Sequence, residues 1–195
     1  MRLEIWGKTS RLYSVFSIWC ISHQKKMKRI QPLAVWQPLI ANFIRSYGRV
    51  QQEFGGPKGH TCDLMALDSN AMTGQDGSLA SHLTPHPSPQ SCDVNFFAQD
   101  LSSGAPFLAY PYVFPPLSLM VTVLHFLRSH GRSCTVIALN VYPKKYWWPL
   151  IQSCAIKSCR LAVKGEAGAL MLSSKQGWIP HPGIPGDLTA FGVLY

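Results

Sequence analysis

The sequence predicts an α/β domain of three layers, a mainly parallel sheet with helices on both faces. Two stretches and their setting carry this expectation. "CTVIALNVY", residues 134 to 142, is a near-continuous β-rich apolar run of the kind that parallel sheets bury on both faces. "PYVFPPLSLM", residues 111 to 120, ends a β-rich run at two prolines and then becomes a helix-like apolar stretch. Pro115 suits the first turn of a helix, where the N–H it lacks would have no partner. Around these two stretches, strand-like and helix-like segments alternate. The junction matters because ligands of open α/β sheets bind in the crevice outside the carboxyl ends of the strands.

In chain order, residues 1 to 34 form a basic extension that ends near "KKMKR" and shows no clean period, so poor ordering is expected there. The domain proper spans residues 35 to 195. Val35 to Phe54 has apolar residues at Leu39, Ile40, Phe43, Ile44, Tyr47, Val50 and Phe54, the spacing of an amphipathic helix, closed by Gly55, Gly56 and Pro57. "HTCDLMAL", residues 60 to 67, reads as a first buried strand, and residues 71 to 92 as a long Gly/Ser/Pro/His-rich loop. "DVNFFAQD" (93 to 100) and "FLAYPYVF" (107 to 114) read as the next strands, with a helix over Leu117 to Arg128. After the 134 to 142 strand come a short helix bent by Pro149, strands in "RLAVKG" and "GALMLSS", and a Gly/Pro-rich tail from Gly177.

Composition bounds the class. The 195 residues are 47% hydrophobic and 14% charged, enough for a core and too apolar for a disordered chain. The net charge of +9 is uneven: nine Lys/Arg against Glu4 alone over residues 1 to 49, Lys58 against six acids over 50 to 127, and eight Lys/Arg against two acids over 128 to 195. Basic flanks of this kind suit nucleic acid or another anionic surface. Six scattered cysteines predict free, mostly buried thiols in a reducing compartment, and "CAIKSC" has too wide a spacing for the usual zinc pair, so no metal is expected. The apolar run at residues 12 to 21 is too short for a bilayer and lacks a leader cleavage site; the run at 107 to 127 is broken by Pro111, Pro115 and Pro116. An intracellular protein, cytoplasmic or nuclear and without a membrane partner, is expected.

Few residues offer chemistry. His82 and His86 are four apart among prolines, where no regular helix can join two imidazoles, so they are expected to be solvated loop histidines. No Gly-rich phosphate loop, nucleophile elbow or zinc-hydrolase helix motif is present, and "EFGGPKGH" follows a helix instead of joining a strand to one. Asp63 stands in an apolar strand, where an unpaired carboxylate is costly. Two readings stay open: it points toward the ligand crevice with Asp68 and Asn70 in the following loop, or it is hydrogen-bonded to that loop. Asp93 and Asp100 pose the same question. Lys144 and Lys145, with Tyr146, Trp147 and Trp148 beside them, are the candidate nucleic-acid contacts, because aromatic stacking supplements charge, while at least one of the two tryptophans is expected to be core.

Taken in order, "FGGP", "CDLMALDSN", a Pro/His loop, "DVNFFAQD", "YVFPPLSLM", "VLHFLRSHG" and "TVIALNVYPKKYWWPLI" form a series. It resembles the region after reverse transcriptase and RNase H in polyproteins of DIRS-like and Ngaro-like tyrosine-recombinase retrotransposons, over about residues 35 to 195. That region is in turn similar to the Rossmann-like fold of phage-type adenine-N6 DNA methyltransferases. The resemblance places "FPPL", Phe114, Pro115, Pro116 and Leu117, where those enzymes carry Asp/Asn-Pro-Pro-Tyr/Phe. Phe114 cannot accept a hydrogen bond from the target amine, and Leu117 cannot stack a flipped base as an aromatic ring would. Asp63 and Asn70 fall near the cofactor position, but Met65 stands where the enzymes have a second acid. The resemblance therefore implies an accessory domain that has lost methyl transfer and uses no cofactor. The rivals are an active S-adenosylmethionine-dependent enzyme with an altered motif, or a degenerate fragment. The carboxylate sets of reverse transcriptase and RNase H are absent from the sequence.

Overall fold

The computed structural model describes residues 41–72, 78–174 and 177–195. The expected extension, residues 1 to 34, and the first residues of the expected 35 to 54 helix lie outside the described residues. Helix α1 (Ala41–Phe54) buries Tyr47 and Val50 and half-buries Phe54, while Arg49, Gln52 and Glu53 face solvent, as the spacing requires. It stops where the Gly55 amide donates to the Gln51 carbonyl at 2.9 Å. Gly56 and Gly59 then close a tight turn by exchanging two backbone hydrogen bonds. A Cβ on Gly56 would strike the Tyr110 ring, so the glycine lets that ring lie against the turn.

The central sheet contains β1 (Cys62–Asp63), β4 (Pro111–Val113), β5 (Cys134–Asn140), β9 (Asp187–Val193) and β6 (Ala155–Ala162), side by side in that order. β1 runs parallel to β4, with Asp63 opposite Tyr112, and β4 runs parallel to β5. β9 is antiparallel to both of its neighbours and pairs with β5 over seven residues. A parallel pair, β2 (Leu83–Thr84) and β3 (Asp93–Val94), joins the β1 edge through an Asp63–His82 bridge. The Asp63 amide donates to Ser81 O at 2.8 Å, and the Ala66 amide to Leu83 O at 3.0 Å. The continuous order is therefore β3, β2, β1, β4, β5, β9, β6, with β9 alone reversed. A separate hairpin pairs β7 (Met171–Ser174) with β8 (Gly177–Pro180).

Both faces are covered, which gives the three expected layers. Tyr112, Ile137, Leu139, Leu188 and Ala190 pack with Tyr47 and Val50 of α1. Val113, Val136 and Ala138 point the other way, toward α2 (Met120–Ser129) and α3 (Trp148–Cys154). Met120, Val123, Leu124 and Leu127 of α2 are wholly buried there, and each such side chain stabilises the fold by roughly 1.5–3 kcal/mol. Arg132 fastens the loop below this layer: its guanidinium donates to the carbonyls of Leu101 (2.6 Å), Ser103 (2.9 Å) and Leu108 (3.1 Å). Among the described residues, no helix is long and apolar enough to cross a membrane.

Several elements differ from expectation, each for a local reason. The 60 to 67 strand keeps only two ladder residues. The 93 to 100 strand ends at Val94 because Asn95 adopts φ 56° and its side chain caps a 3₁₀ turn, Phe96–Ala98. Pro106 opens another 3₁₀ turn, Pro106–Leu108, leaving Pro111–Val113 as the only part of 107 to 114 that forms a strand. Pro115 does not enter the helix: α2 begins at Met120, after a turn in which the Leu119 amide donates to Pro116 O at 2.9 Å. The 71 to 92 loop contains β2, whose Leu83 and Thr84 are buried. The tail from Gly177 holds β8 and the sheet-completing β9. Gly192 sits in β9 because a Cβ there would come 3.1 Å from the Phe54 ring; this glycine admits the helix and marks no loop.

Candidate functional site

The strand order reverses between β1 and β4, so the chain leaves these two neighbours toward opposite halves of the sheet. Loops after β1, β2, β4 and β5 meet along this carboxyl edge. A cavity of about 340 Å³ lies there between Leu67–Ser69, after β1, and Thr84–Ser88, after β2.

Asp68 is the charged group of this cavity. Its Oδ1 lies 2.8 Å from His82 Nε2, and its Oδ2 accepts from the Ser88 hydroxyl. These two hydrogen bonds, Ser88 first, hold the Asp68 carboxyl below its ordinary range. His82 is wholly buried, contrary to the solvated placement expected of it, because β2 carries it into the sheet beside Asp63. Its Nδ1 lies 3.0 Å from Ala80 O, so each ring nitrogen faces an oxygen acceptor. Ser88 donates to the carboxylate and not to the imidazole. The three groups therefore tie two loops together and do not form a nucleophile with its base. His86 is exposed, as expected, and its carbonyl accepts from Thr84 Oγ1 at 2.5 Å.

Asp63 and Asn70 are both buried beside this cavity and do not line it. Asp63 Oδ1 accepts from the Met65 amide at 3.2 Å, and Asn70 Oδ1 from the Leu67 amide at 2.6 Å, so both serve the loop after β1. Burial pushes the Asp63 carboxyl up to about 7, against smaller opposing effects of the Met65 amide and His82. On the same face stand three rings: Tyr47 and His60 stacked at 5.9 Å, and Tyr112 edge-on to Tyr47 at 5.8 Å. Burial pushes the Tyr47 phenol up to about 12 and the His60 ring down to about 4. His60 Nε2 lies 2.9 Å from Thr135 Oγ1, and its Nδ1 has no hydrogen-bond partner among the described residues. Asp93 and Asp100 are exposed; they accept from the adjacent Val94 amide and from Ser102.

The Phe-Pro-Pro-Leu segment follows β4 on the same edge. Phe114 is half-buried against the α1-side core, Pro115 is buried, and Leu117 packs against both cores. No side chain in this segment carries a hydrogen-bonding group.

The loop after β5 divides the expected nucleic-acid residues. Trp147 is 2% exposed and is core, so it offers no face to a base. Trp148 is half-buried, edge-on to Phe191 at 5.8 Å, with Lys144 Nζ 3.9 Å above its ring; Lys144 also donates to Asn140 Oδ1. Lys145 is exposed. Tyr142, which the sequence reading passed over, is 88% exposed, and Tyr146 is 76% exposed. The signal for Tyr142 was its place on the far side of Pro143 from the lysine pair, where a turn carries it off the strand.

Among the described residues no group of three or more His, Cys, Asp or Glu could hold a metal ion, and the five described cysteines are free. Only Cys62 and Cys134 of these five are buried, fewer than the sequence predicts, because Cys92 precedes the edge strand β3, Cys154 ends helix α3 and Cys159 lies in the edge strand β6. No protein-family model matches the chain, and no curated protein is significantly similar to it.

Proposed function

We propose that this chain is a Rossmann-like, methyltransferase-related domain of retroelement descent that holds nucleic acid at the carboxyl edge of its sheet and transfers no methyl group. The observation that carries the reading is the parallel pairing of β1 with β4. It brings the Phe114–Leu117 segment to the point where the strand order reverses, the place where open α/β sheets bind ligands. The order β3, β2, β1, β4, β5, β9, β6 supports it too: it is the doubly wound order with one reversed strand inserted before the last.

The residues do not fit S-adenosylmethionine. Asp63 and Asn70 commit side-chain oxygens to amides of the loop after β1, Asp68 commits both of its oxygens to His82 and Ser88, and residues 64 to 72 contain no glycine to let backbone approach a ligand closely. Lys144 and Lys145 stand on the same edge, within a stretch that carries eight basic residues against two acids. Free thiols fit the intracellular setting, cytoplasmic or nuclear, that this reading implies.

The test is binding of labelled DNA and RNA between about 50 and 200 mM salt. Log affinity falling linearly with log salt supports the proposal, and no binding at low salt overturns it. Transfer of a labelled methyl group to DNA by the native chain would instead make the protein an enzyme.

A further inference from the structure

We infer that Tyr142 and Tyr146 form a base-stacking site that selects single-stranded over double-stranded nucleic acid; this rests on the nucleic-acid reading above. Both rings project into solvent from the loop after β5, while Trp147 in the same loop is buried. The loop can thus fold an aromatic ring inward, and the two tyrosines are held out. An aromatic face in water leaves its apolar area unused until something flat covers it. The charge around them defines that partner: Lys144 and Lys145 lie between the two rings in sequence, and no acid occurs from Asn140 to Ser153. Lys144 is fixed by Asn140 and by the Trp148 ring, which leaves exposed Lys145 for a phosphate. A polyanion with accessible planar faces meets both demands. A duplex keeps its base faces stacked inside, whereas a single strand presents them.

The experiment compares three probes with the full chain: a thymidylate oligomer of about twelve nucleotides, an abasic oligomer with the same phosphates, and a duplex of equal length. The thymidylate oligomer is expected to bind at least about tenfold more tightly than either of the others. Tyr142→Ala with Tyr146→Ala should erase that preference and leave abasic affinity unchanged, while Tyr142→Phe with Tyr146→Phe should preserve it. Equal affinity of the native chain for thymidylate and abasic oligomers would overturn the stacking site and leave the charge-based reading standing. Binding of none of the three would overturn both.

Discussion

Asp63 and Tyr112 face each other across the parallel strands β1 and β4, a buried carboxyl opposite a buried phenol. Burial, with the Asp63 charge added to it, pushes the Tyr112 phenol well above its ordinary range, and Asp63 itself reaches about 7. The acid is thus held in a setting that favours its neutral form, beside the buried His82; the buried His60 is shifted by burial alone.

These two groups act oppositely on stability over one pH window. Asp63 has a folded value above its unfolded one, so its contribution is complete below about pH 4 and is lost as pH rises toward 7. His60 has a folded value below its unfolded one, so its contribution is complete above about pH 6.5 and is lost as pH falls toward 4. Each amounts to roughly 3–4 kcal/mol, and they largely cancel. Urea unfolding across pH 4 to 7 should show Asp63→Asn becoming steadily more stable relative to the native chain as pH rises. His60→Gln should gain on the native chain as pH falls. Parallel profiles for all three proteins would contradict the buried placement of these groups.

His82→Ala should cost roughly 2–4 kcal/mol, since it empties a fully buried position and breaks the link between the loop after β1 and the chain entering β2. Amide hydrogen exchange should rise at Ala66 and Asp63, whose amides bond to the β2 segment. A solvated histidine would leave both measurements unchanged.

Trp147 and Lys145 should separate core from contact. Trp147→Ala is expected to lose roughly 3–5 kcal/mol of stability, because the ring is buried in the α2/α3 layer. Lys145→Ala should change stability by less than about 0.5 kcal/mol and lower the salt slope of nucleic-acid binding by about one. The reverse pattern would place the binding surface elsewhere.

Methyl transfer should be absent from the native chain and from Phe114→Asn with Leu117→Tyr. Leu117 packs between the two cores, so a tyrosine there must displace core contacts before its ring can meet a base. Labelled methyl appearing in DNA only with the double variant would show that a donor pocket persists.

The sequence announced the parts of this fold whose local chemistry matched their surroundings. β5 was plain because both of its faces are buried, so every position from Cys134 to Leu139 is apolar or β-branched. The end of β4 was plain as well, because the β-forming Tyr112 and Val113 stop at two prolines within three residues. β9 was hidden because Gly192 answers to Phe54, a residue 138 positions away, and local propensity carries no record of that contact. β2 was hidden by its two-residue length among prolines. At the candidate site, the lysine pair was visible as charge and one tryptophan was expected to be core, but that Trp147 is the one turned inward depended on the packing of α3. The cavity around Asp68 went unread because its histidine and serine reach it from 14 and 20 residues away.

The reversed strand sets the timetable by which the sheet can be assembled. β6 touches the rest of the sheet only through β9, yet Ala162 leaves the ribosome 25 residues before Asp187. Until β9 arrives, β6 is a lone eight-residue ribbon with Ile156 exposed, and β5 has an open flank. Closing the gap requires a long chain loop to be drawn in, which slows folding. A nascent chain stalled within that interval, or one clipped ahead of Asp187, would present two unpaired strand edges to its neighbours, the condition under which sheets join between molecules.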